Sequence, residues 1–364
     1  MRLISVNRCQ PGEKLAKTIY TSNGTVLIGA GVALSQKMLD RLKELNITSI
    51  YIEDKLISDV VVSDAVSEET RREAMATITT VFQSFRSEPG RWRQLFVHHD
   101  VGRKFRQVMG SVIDELKQNR SALNLLGSVC GMDHYIFSHS FHVALYTTSL
   151  GMKLGLSDRE LIEVGMGAML HDVGKMAIPA ELLMKPGKLT EEEYELVKKH
   201  TEFGFELLRK QEELSLLTAH CAYQHHERCD GSGYPRQLTE KEIHPYAKMI
   251  AVCDVFDALT TSRSYRSAVL PHVAMEVLFA GVDKLFVKEI VEAFYDTIAL
   301  YPIGLTVRLT NGEEGVVVDY NRGAPSRPII RILKNPKGEA VAAPYEIDLS
   351  KRLDVMIASC DLLV

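Results

Sequence analysis

The chain has 364 residues, 46% of them hydrophobic and 25% charged, and its 43 Lys and Arg nearly balance its 47 Asp and Glu for a formal net charge of −4. That composition excludes a disordered, collagen-like or disulfide-stapled chain, and the length suits two or three domains with a sizeable core. It supplies no global basic field for duplex nucleic acid or an anionic membrane, although a local basic pocket for a small phosphate-bearing ligand is allowed.

The first eight residues, Met1 to Arg8, lack the apolar stretch of a signal peptide. Residues 1–65 read as a small α+β module. Lys17-Thr18-Ile19-Tyr20 and Thr25-Val26-Leu27-Ile28 flank Ser22-Asn23-Gly24, a hairpin signal. Ser35 to Leu45 has helical spacing, with Met38, Leu39, Leu42 and Leu45 on one side, and Thr48 to Ile52 reads as a closing strand. No catalytic cluster falls here, so a regulatory or docking role is expected. Residues 66–120 read as a helical connector, with two polar-rich patterns separated by the turn signal Ser87-Glu88-Pro89-Gly90. His98-His99-Asp100 could ligate a metal, but without further spaced ligands nearby it reads as a solvated helix face.

Residues 121–300 read as almost all helix. Thr190-Glu191-Glu192-Glu193 is a capping box after a Pro186-Gly187 turn, and it opens a helix expected to run to about Lys210. Pro245 starts a helix containing Met249, Ile250, Val252 and Val255, and Pro271 starts the next. In residues 301–364 Thr306 to Leu309 and Gly315 to Val318 flank Asn311-Gly312, a second hairpin. The expected fold is therefore mainly α: a helical bundle with a small β-containing N-terminal module and a C-terminal β-hairpin module. No run of 18 apolar residues predicts membrane insertion. The six cysteines are scattered without a CxxC pair, so a reduced, cytoplasmic setting is expected and a thiolate zinc knuckle is not.

Histidine is more informative, because eight of the 12 histidines crowd between His134 and His226. His171-Asp172 ends an apolar helical stretch, Val164 to Leu170, and precedes Val173-Gly174-Lys175. Imidazole and carboxylate are the ligands that divalent Mn, Fe or Zn use in hydrolytic sites. Adjacent helical side chains diverge by about 100°, so such a pair can share one cation while the carboxylate reaches a second. A lone His-Asp means little, and the companions decide. His139 lies 32 residues upstream, His200 lies in the capped helix, His225 and His226 are adjacent, and Asp254 is embedded in Ala251-Val252-Cys253-Asp254-Val255. A buried carboxylate calls for a cationic partner, and an ordinary salt bridge would serve Asp254 as well as a metal. Five His and two Asp suffice for two metals, but neither their count nor their order brings them together.

These stretches have familiar neighbours. His139-Ser140 lies within Tyr135 to Ala144, and His171-Asp172 opens a run through Lys175 to Ile178-Pro179. Lys185-Pro186-Gly187-Lys188-Leu189-Thr190 precedes His200, and His225-His226-Glu227-Arg228-Cys229-Asp230 leads to Gly231-Ser232-Gly233-Tyr234-Pro235. Asp254-Val255-Phe256-Asp257-Ala258-Leu259-Thr260 and Arg263-Ser264-Tyr265-Arg266 close the series. In order, spacing and flanking residues, about 130–300 closely resembles the HD-GYP subgroup of the HD-domain phosphohydrolase superfamily. That family degrades the bacterial second messenger cyclic di-GMP, usually to linear pGpG and sometimes on to GMP.

The resemblance implies that His139, His171, Asp172, His200, His225, His226 and Asp254 are metal ligands, with Asp172 bridging two divalent cations. Fe or Mn suits such a site, and Zn could occupy it. A metal-bridged water, its pKa lowered from about 15.7 towards roughly 7, would attack the 3′–5′ phosphodiester as hydroxide. Asp172 and Lys175 would be the catalytic residues, Lys175 meeting a phosphate oxygen. Gly233, Tyr234 and Pro235 would line the substrate cleft, and Arg263 and Arg266 would lie near the nucleotide. Some members carry a third-metal Glu where Tyr135 stands here, so two metals are expected. Ser264 replaces a common Pro, and Cys229 an aromatic or polar residue; neither change removes a ligand. His134, His142 and His220 match no ligand and are expected to support the site or lie on the surface. Glu227 would orient an imidazole or cap packing, and Asp257 is expected to pair with Arg263 or Arg266. The alternatives are an HD phosphohydrolase acting on another nucleotide, such as cyclic GMP-AMP, and a catalytically weak scaffold that senses cyclic dinucleotides. The connector helices could support a homodimer or contact with a signalling partner.

Overall fold

A computed structural model describes residues 1–21, 25–45, 47–87, 101–119, 135–261, 268–321 and 323–361. In the N-terminal module β1 (Arg2–Ser5) pairs antiparallel with β4 (Ser49–Ile52), Arg2 opposite Ile52 and Ser5 opposite Ser49. β2 (Ile19–Tyr20) and β3 (Val26–Ile28) also pair antiparallel, while the Ser22-Asn23-Gly24 turn expected between them lies outside the described residues. Between β3 and β4, α1 (Gln36–Glu44) is capped by the Ser35 hydroxyl, which accepts from the Met38 amide. Its buried side, Leu39 and Leu42, packs with Ile4, Leu15 and Ile50 in a core of the module's own.

The connector forms α2 (Glu68–Ser87) and α3 (Val101–Gln118), and the Glu88-Pro89-Gly90 turn and His98-His99-Asp100 lie outside the described residues. Glu115 of α3 accepts from the hydroxyls of Ser67 (2.8 Å) and Thr70 (2.6 Å), which ties it to the start of α2. Ile78 and Phe82 of α2, and Phe105 and Met109 of α3, enter the same core as the following helices. Those are α4 (Tyr135–Lys153), α5 (Asp158–Leu170), α6 (Ala180–Leu183), α7 (Glu191–Lys198), α8 (His200–Leu208) and α9 (Leu216–Gln224). Then come α10 (Pro245–Thr260), α11 (Pro271–Ala280) and α12 (Lys288–Thr297), the first two opening at the expected prolines.

The Thr190–Glu193 capping box forms as expected, but the helix it opens stops at Lys198 instead of running to Lys210. His200 Nδ1 donates to the Val197 carbonyl (2.6 Å) and the Thr201 hydroxyl to the Lys198 carbonyl (2.9 Å), so side chains satisfy the carbonyls at the break. The axis restarts with His200 as the first residue of α8.

The C-terminal strands exceed a hairpin. β5 (Thr306–Leu309), β6 (Glu314–Asp319), β7 (Ile329–Lys334), β8 (Ala340–Asp348) and β9 (Ile357–Cys360) form one antiparallel sheet in the order β8-β7-β6-β5-β9. Asn311-Gly312 turns β5 into β6, with Gly312 at φ +89. The chain ends meet: the Leu3 amide donates to the Gly304 carbonyl (2.7 Å), and Arg8 pairs with the buried Asp361 (2.6 Å). Among the described residues no helix is long and apolar enough to cross a membrane.

Candidate metal centre

Helix α5 is buried along most of its length and delivers His171 and Asp172 to the middle of the bundle. A 3-10 turn, Val173–Ala177, follows immediately. There Gly174 is required, because a Cβ on it would stand 1.9 Å from the His200 carbonyl oxygen and 2.5 Å from the Gly204 amide nitrogen. This close backbone approach brings the start of α8, and so His200, against Asp172.

Seven side chains converge in two groups. Asp172, His200, His225 and His226 form one, and His139, His171 and Asp254 the other; within each group one ligand atom per residue lies within 4.8 Å of all the others. Asp172 stands between them. Its Oδ2 is 3.4 Å from His171 Nε2 and 3.7 Å from His139 Nε2, while its Oδ1 is 3.5 Å from His200 Nε2 and 3.8 Å from His225 Nε2. Asp254 also reaches both sides, with Oδ1 3.0 Å from His139 Nε2 and Oδ2 3.9 Å from His226 Nδ1.

Backbone carbonyls orient three of the imidazoles. Nδ1 donates to the Ala168 carbonyl from His171 (2.7 Å), to Val197 from His200 (2.6 Å) and to Ala222 from His225 (3.0 Å). A carbonyl only accepts, so the proton sits on Nδ1 and each Nε2 presents its lone pair to the centre. His139 is oriented differently, with Nδ1 2.7 Å from Asp257 Oδ2, and Asp257 Oδ1 lies 3.2 Å from His142 Nδ1. The expected partners of Asp257, Arg263 and Arg266, lie outside the described residues; its described partners are two histidines across the helix interface. The available signal was spacing, since His139 and His142 on α4 are three apart, as are Asp254 and Asp257 on α10.

Electrostatics separates the groups by what holds them. Burial pushes the Asp172 carboxyl up, but the Lys175 ammonium and the neighbouring imidazoles hold it well below the usual carboxylate range. Burial is likewise outweighed at Asp254, chiefly by His139. Burial drives His200 down to about 4 and, aided by the charge of His200, His226 down to about 3; His225 falls well below its ordinary value for the same reason. These imidazoles are unprotonated at neutral pH. At His139 burial is overcome by the bonds to Asp254 and Asp257, which bring it to about 9.

The donor set fits divalent cations. His171 Nε2 and Asp172 Oδ1 are buried and make no hydrogen bond among the described residues, an expensive arrangement that a cation would relieve. All-nitrogen-and-oxygen donors, two of them carboxylates, suit Mn, Fe or Zn. Lys175 pairs with Asp172 Oδ2 from the solvent side, its side chain 20% exposed.

The Gly233-Tyr234-Pro235 loop folds back on this centre. A Cβ on Gly233 would lie 2.6 Å from the His226 carbonyl oxygen and 2.4 Å from the Arg228 amide nitrogen, so only glycine allows the approach. The Tyr234 amide donates to that same carbonyl (3.2 Å), and its ring lies 4.8 Å from the His226 ring. Glu227, left between two roles by the sequence, closes the loop: its carboxylate accepts from the Arg236 (2.7 Å) and Leu238 (2.9 Å) amides. Cys229 is half-buried and belongs to neither ligand group, and His220 packs its ring 5.2 Å from Phe205. Arg263, Ser264, Arg266 and His134 lie outside the described residues, as does the side chain of Tyr135.

Two family models match the chain. Residues 114–286 match the HD domain, and residues 306–361 match a KOW domain associated with the HD domain. The chain is 33% identical over 244 residues to a cyclic di-GMP phosphodiesterase of Pseudomonas aeruginosa, covering 66% of this chain and 59% of that one. It is 39% identical over 173 residues to a cyclic di-GMP phosphodiesterase of Thermotoga maritima, covering 47% of this chain and 46% of that one. It is 34% identical over 197 residues to the 3′3′-cGAMP-specific phosphodiesterase 2 of Vibrio cholerae, covering 53% of this chain and 37% of that one. The chain thus spans about half the length of these curated relatives.

Proposed function

Because the chain belongs to the HD-GYP family of HD-domain proteins, we propose that it is a metal-dependent phosphodiesterase that hydrolyses a 3′–5′ bond of cyclic di-GMP to give pGpG and, by a second cut, GMP. One observation carries the reading: the two oxygens of Asp172 face two separate groups of ligand atoms, the arrangement a carboxylate needs to join two cations.

His139, His171 and Asp254 would hold one cation and His200, His225 and His226 the other, with Asp172 shared; Fe or Mn is the proposed metal. When bound, the pair supplies Lewis acidity, making water available as hydroxide near neutral pH and neutralising charge on the phosphoryl oxygens. The chain's own groups do the rest. The Nδ1–carbonyl bonds keep His171, His200 and His225 in the ligating tautomer. Lys175, partly exposed beside Asp172, would meet a phosphate oxygen. Tyr234, against His226, would line the substrate cleft, and Arg263 and Arg266 are proposed to reach the nucleotide. We place the activity in the cytoplasm, a setting consistent with free Cys9, Cys221, Cys229 and Cys253.

The test is an anaerobic assay of the full chain with added Mn or Fe, cyclic di-GMP as substrate, chromatography of the products and elemental analysis. Turnover to pGpG with close to two metals per chain is the expected result, and Asp172→Ala should lose metal and turnover together. A metal-loaded protein that leaves cyclic di-GMP intact would overturn the proposal. Similarity to a cGAMP-specific enzyme motivates a second substrate arm, because a metal centre that grips phosphate does not read the base. Faster turnover of 3′3′-cGAMP would reassign the substrate while keeping the chemistry.

A further inference from the structure

Helix α7 has no buried residue, yet it carries Tyr194, which is 47% exposed. The Tyr194 ring meets Tyr234 edge to face at 6.4 Å and 79°, and Tyr234 in turn lies 4.8 Å from His226 and 6.5 Å from His200. Lys198, one turn on, places Nζ 5.3 Å from the Tyr194 ring and 5.6 Å from the Tyr234 ring, and Glu195 holds it there at 2.5 Å. The two rings and the ammonium therefore extend outwards from the candidate metal centre as one aromatic and cationic wall.

The wall is anchored at both ends. The Thr190–Glu193 capping box and the Lys185–Glu193 pair (2.6 Å) pin the start of α7. His200 begins the next helix two residues after α7 ends and faces Asp172. Tyr194 stands on the exposed side of α7, where core packing does not demand an aromatic, whereas an aromatic face beside a cation is what a purine base stacks on.

We infer that Tyr194, with Lys198 holding positive charge beside it, forms a base subsite that takes one purine of the cyclic dinucleotide; the inference rests on the phosphodiesterase reading above. The experiment compares the metal-loaded full chain with Tyr194→Ala and Tyr194→Phe on cyclic di-GMP and on bis(p-nitrophenyl) phosphate, a phosphodiester without a purine. For Tyr194→Ala, KM for cyclic di-GMP should rise about tenfold with kcat within twofold, within the range that base stacking on an aromatic supplies. The ratio of kcat/KM for the dinucleotide to that for the simple diester should fall by the same factor, and Tyr194→Phe should restore both. An unmoved KM in Tyr194→Ala overturns the subsite, as does an equal loss on both substrates or a Phe variant as poor as the Ala variant. A wild-type protein that cleaves only the simple diester overturns the cyclic di-GMP reading and the subsite together, whereas wild-type turnover with an indifferent Tyr194→Ala overturns the subsite alone.

Discussion

Gly174→Ala is the sharpest test of how the fold assembles the candidate centre. The new Cβ would meet three backbone atoms: the His200 carbonyl oxygen at 1.9 Å, the Gly204 amide nitrogen at 2.5 Å and the His200 carbonyl carbon at 2.9 Å. No rotamer relieves a clash with backbone, so the 3-10 turn and the start of α8 must separate by roughly 1 Å or more to restore ordinary contact. Overpacking of this kind costs about 1–3 kcal/mol, which a bundle with this much buried core absorbs without unfolding. The displacement falls on His200, whose Nε2 is 3.5 Å from Asp172 Oδ1, while His139, His171 and Asp254 come from α4, α5 and α10 and need not move. Ligand distances tolerate only about 0.2 Å, and a 1 Å misplacement costs about 100-fold in rate. The variant should therefore stay folded, lose about half its metal and lose about 100-fold in kcat. Circular dichroism, elemental analysis and the product assay read these three quantities. Gly110→Ala is the control, because no atom of the described residues lies within 4 Å of a Cβ there. Full metal content with a wild-type rate in Gly174→Ala would show that the backbone approach does not set the ligand geometry.

Asp257→Asn removes the carboxylate that orients His139 and His142 without touching a proposed ligand atom. Affinity for Mn should fall 10–100-fold, with the rate recovered at saturating metal; a rate loss that excess Mn leaves in place would refute an orienting role. Acid stability should depend on Glu115: burial pushes its carboxyl up, but bonds from Thr70 and Ser67 win and lower it from 4.5. A group depressed on folding stabilises the native state above its unfolded pKa and loses that contribution as pH falls through its folded pKa. The stability advantage of wild type over Glu115→Gln in denaturant melts should hold at pH 6 and shrink on acidification below about 4.5, and a pH-independent difference would count against the Ser67–Thr70 clamp.

The candidate ligands were legible because metal chemistry restricts residue types severely: His, Asp and their flanking motifs mark positions that the structure brings within a few ångströms. Local signals were equally readable, including the Thr190 capping box, the prolines that open α10 and α11, and the Asn311-Gly312 turn. What stayed hidden depends on partners distant in sequence. Arg8 and Asp361 meet across 353 positions, and neither residue carries a mark of the other. For Asp257 the sequence pointed to Arg263 or Arg266, which lie outside the described residues, because a buried carboxylate needs a positive partner and sequence offers only proximity along the chain. The helix interface offered His139, 118 residues away.

The glycines make the same point from the other direction. Gly174 and Gly233 stand beside motif residues in the sequence, which says that backbone comes close there but not what it approaches. In the fold Gly174 admits the His200 carbonyl and Gly233 the His226 carbonyl, both belonging to proposed ligands of the same group. Two tight contacts thus bear on the side of the centre that faces the Tyr234 loop, while the His139 side is secured by Asp257 and the packing of α4 against α10. The centre is built by two different devices, backbone approach on one side and a carboxylate–imidazole pair on the other. Substitutions that defeat one should therefore spare the ligand group that the other holds.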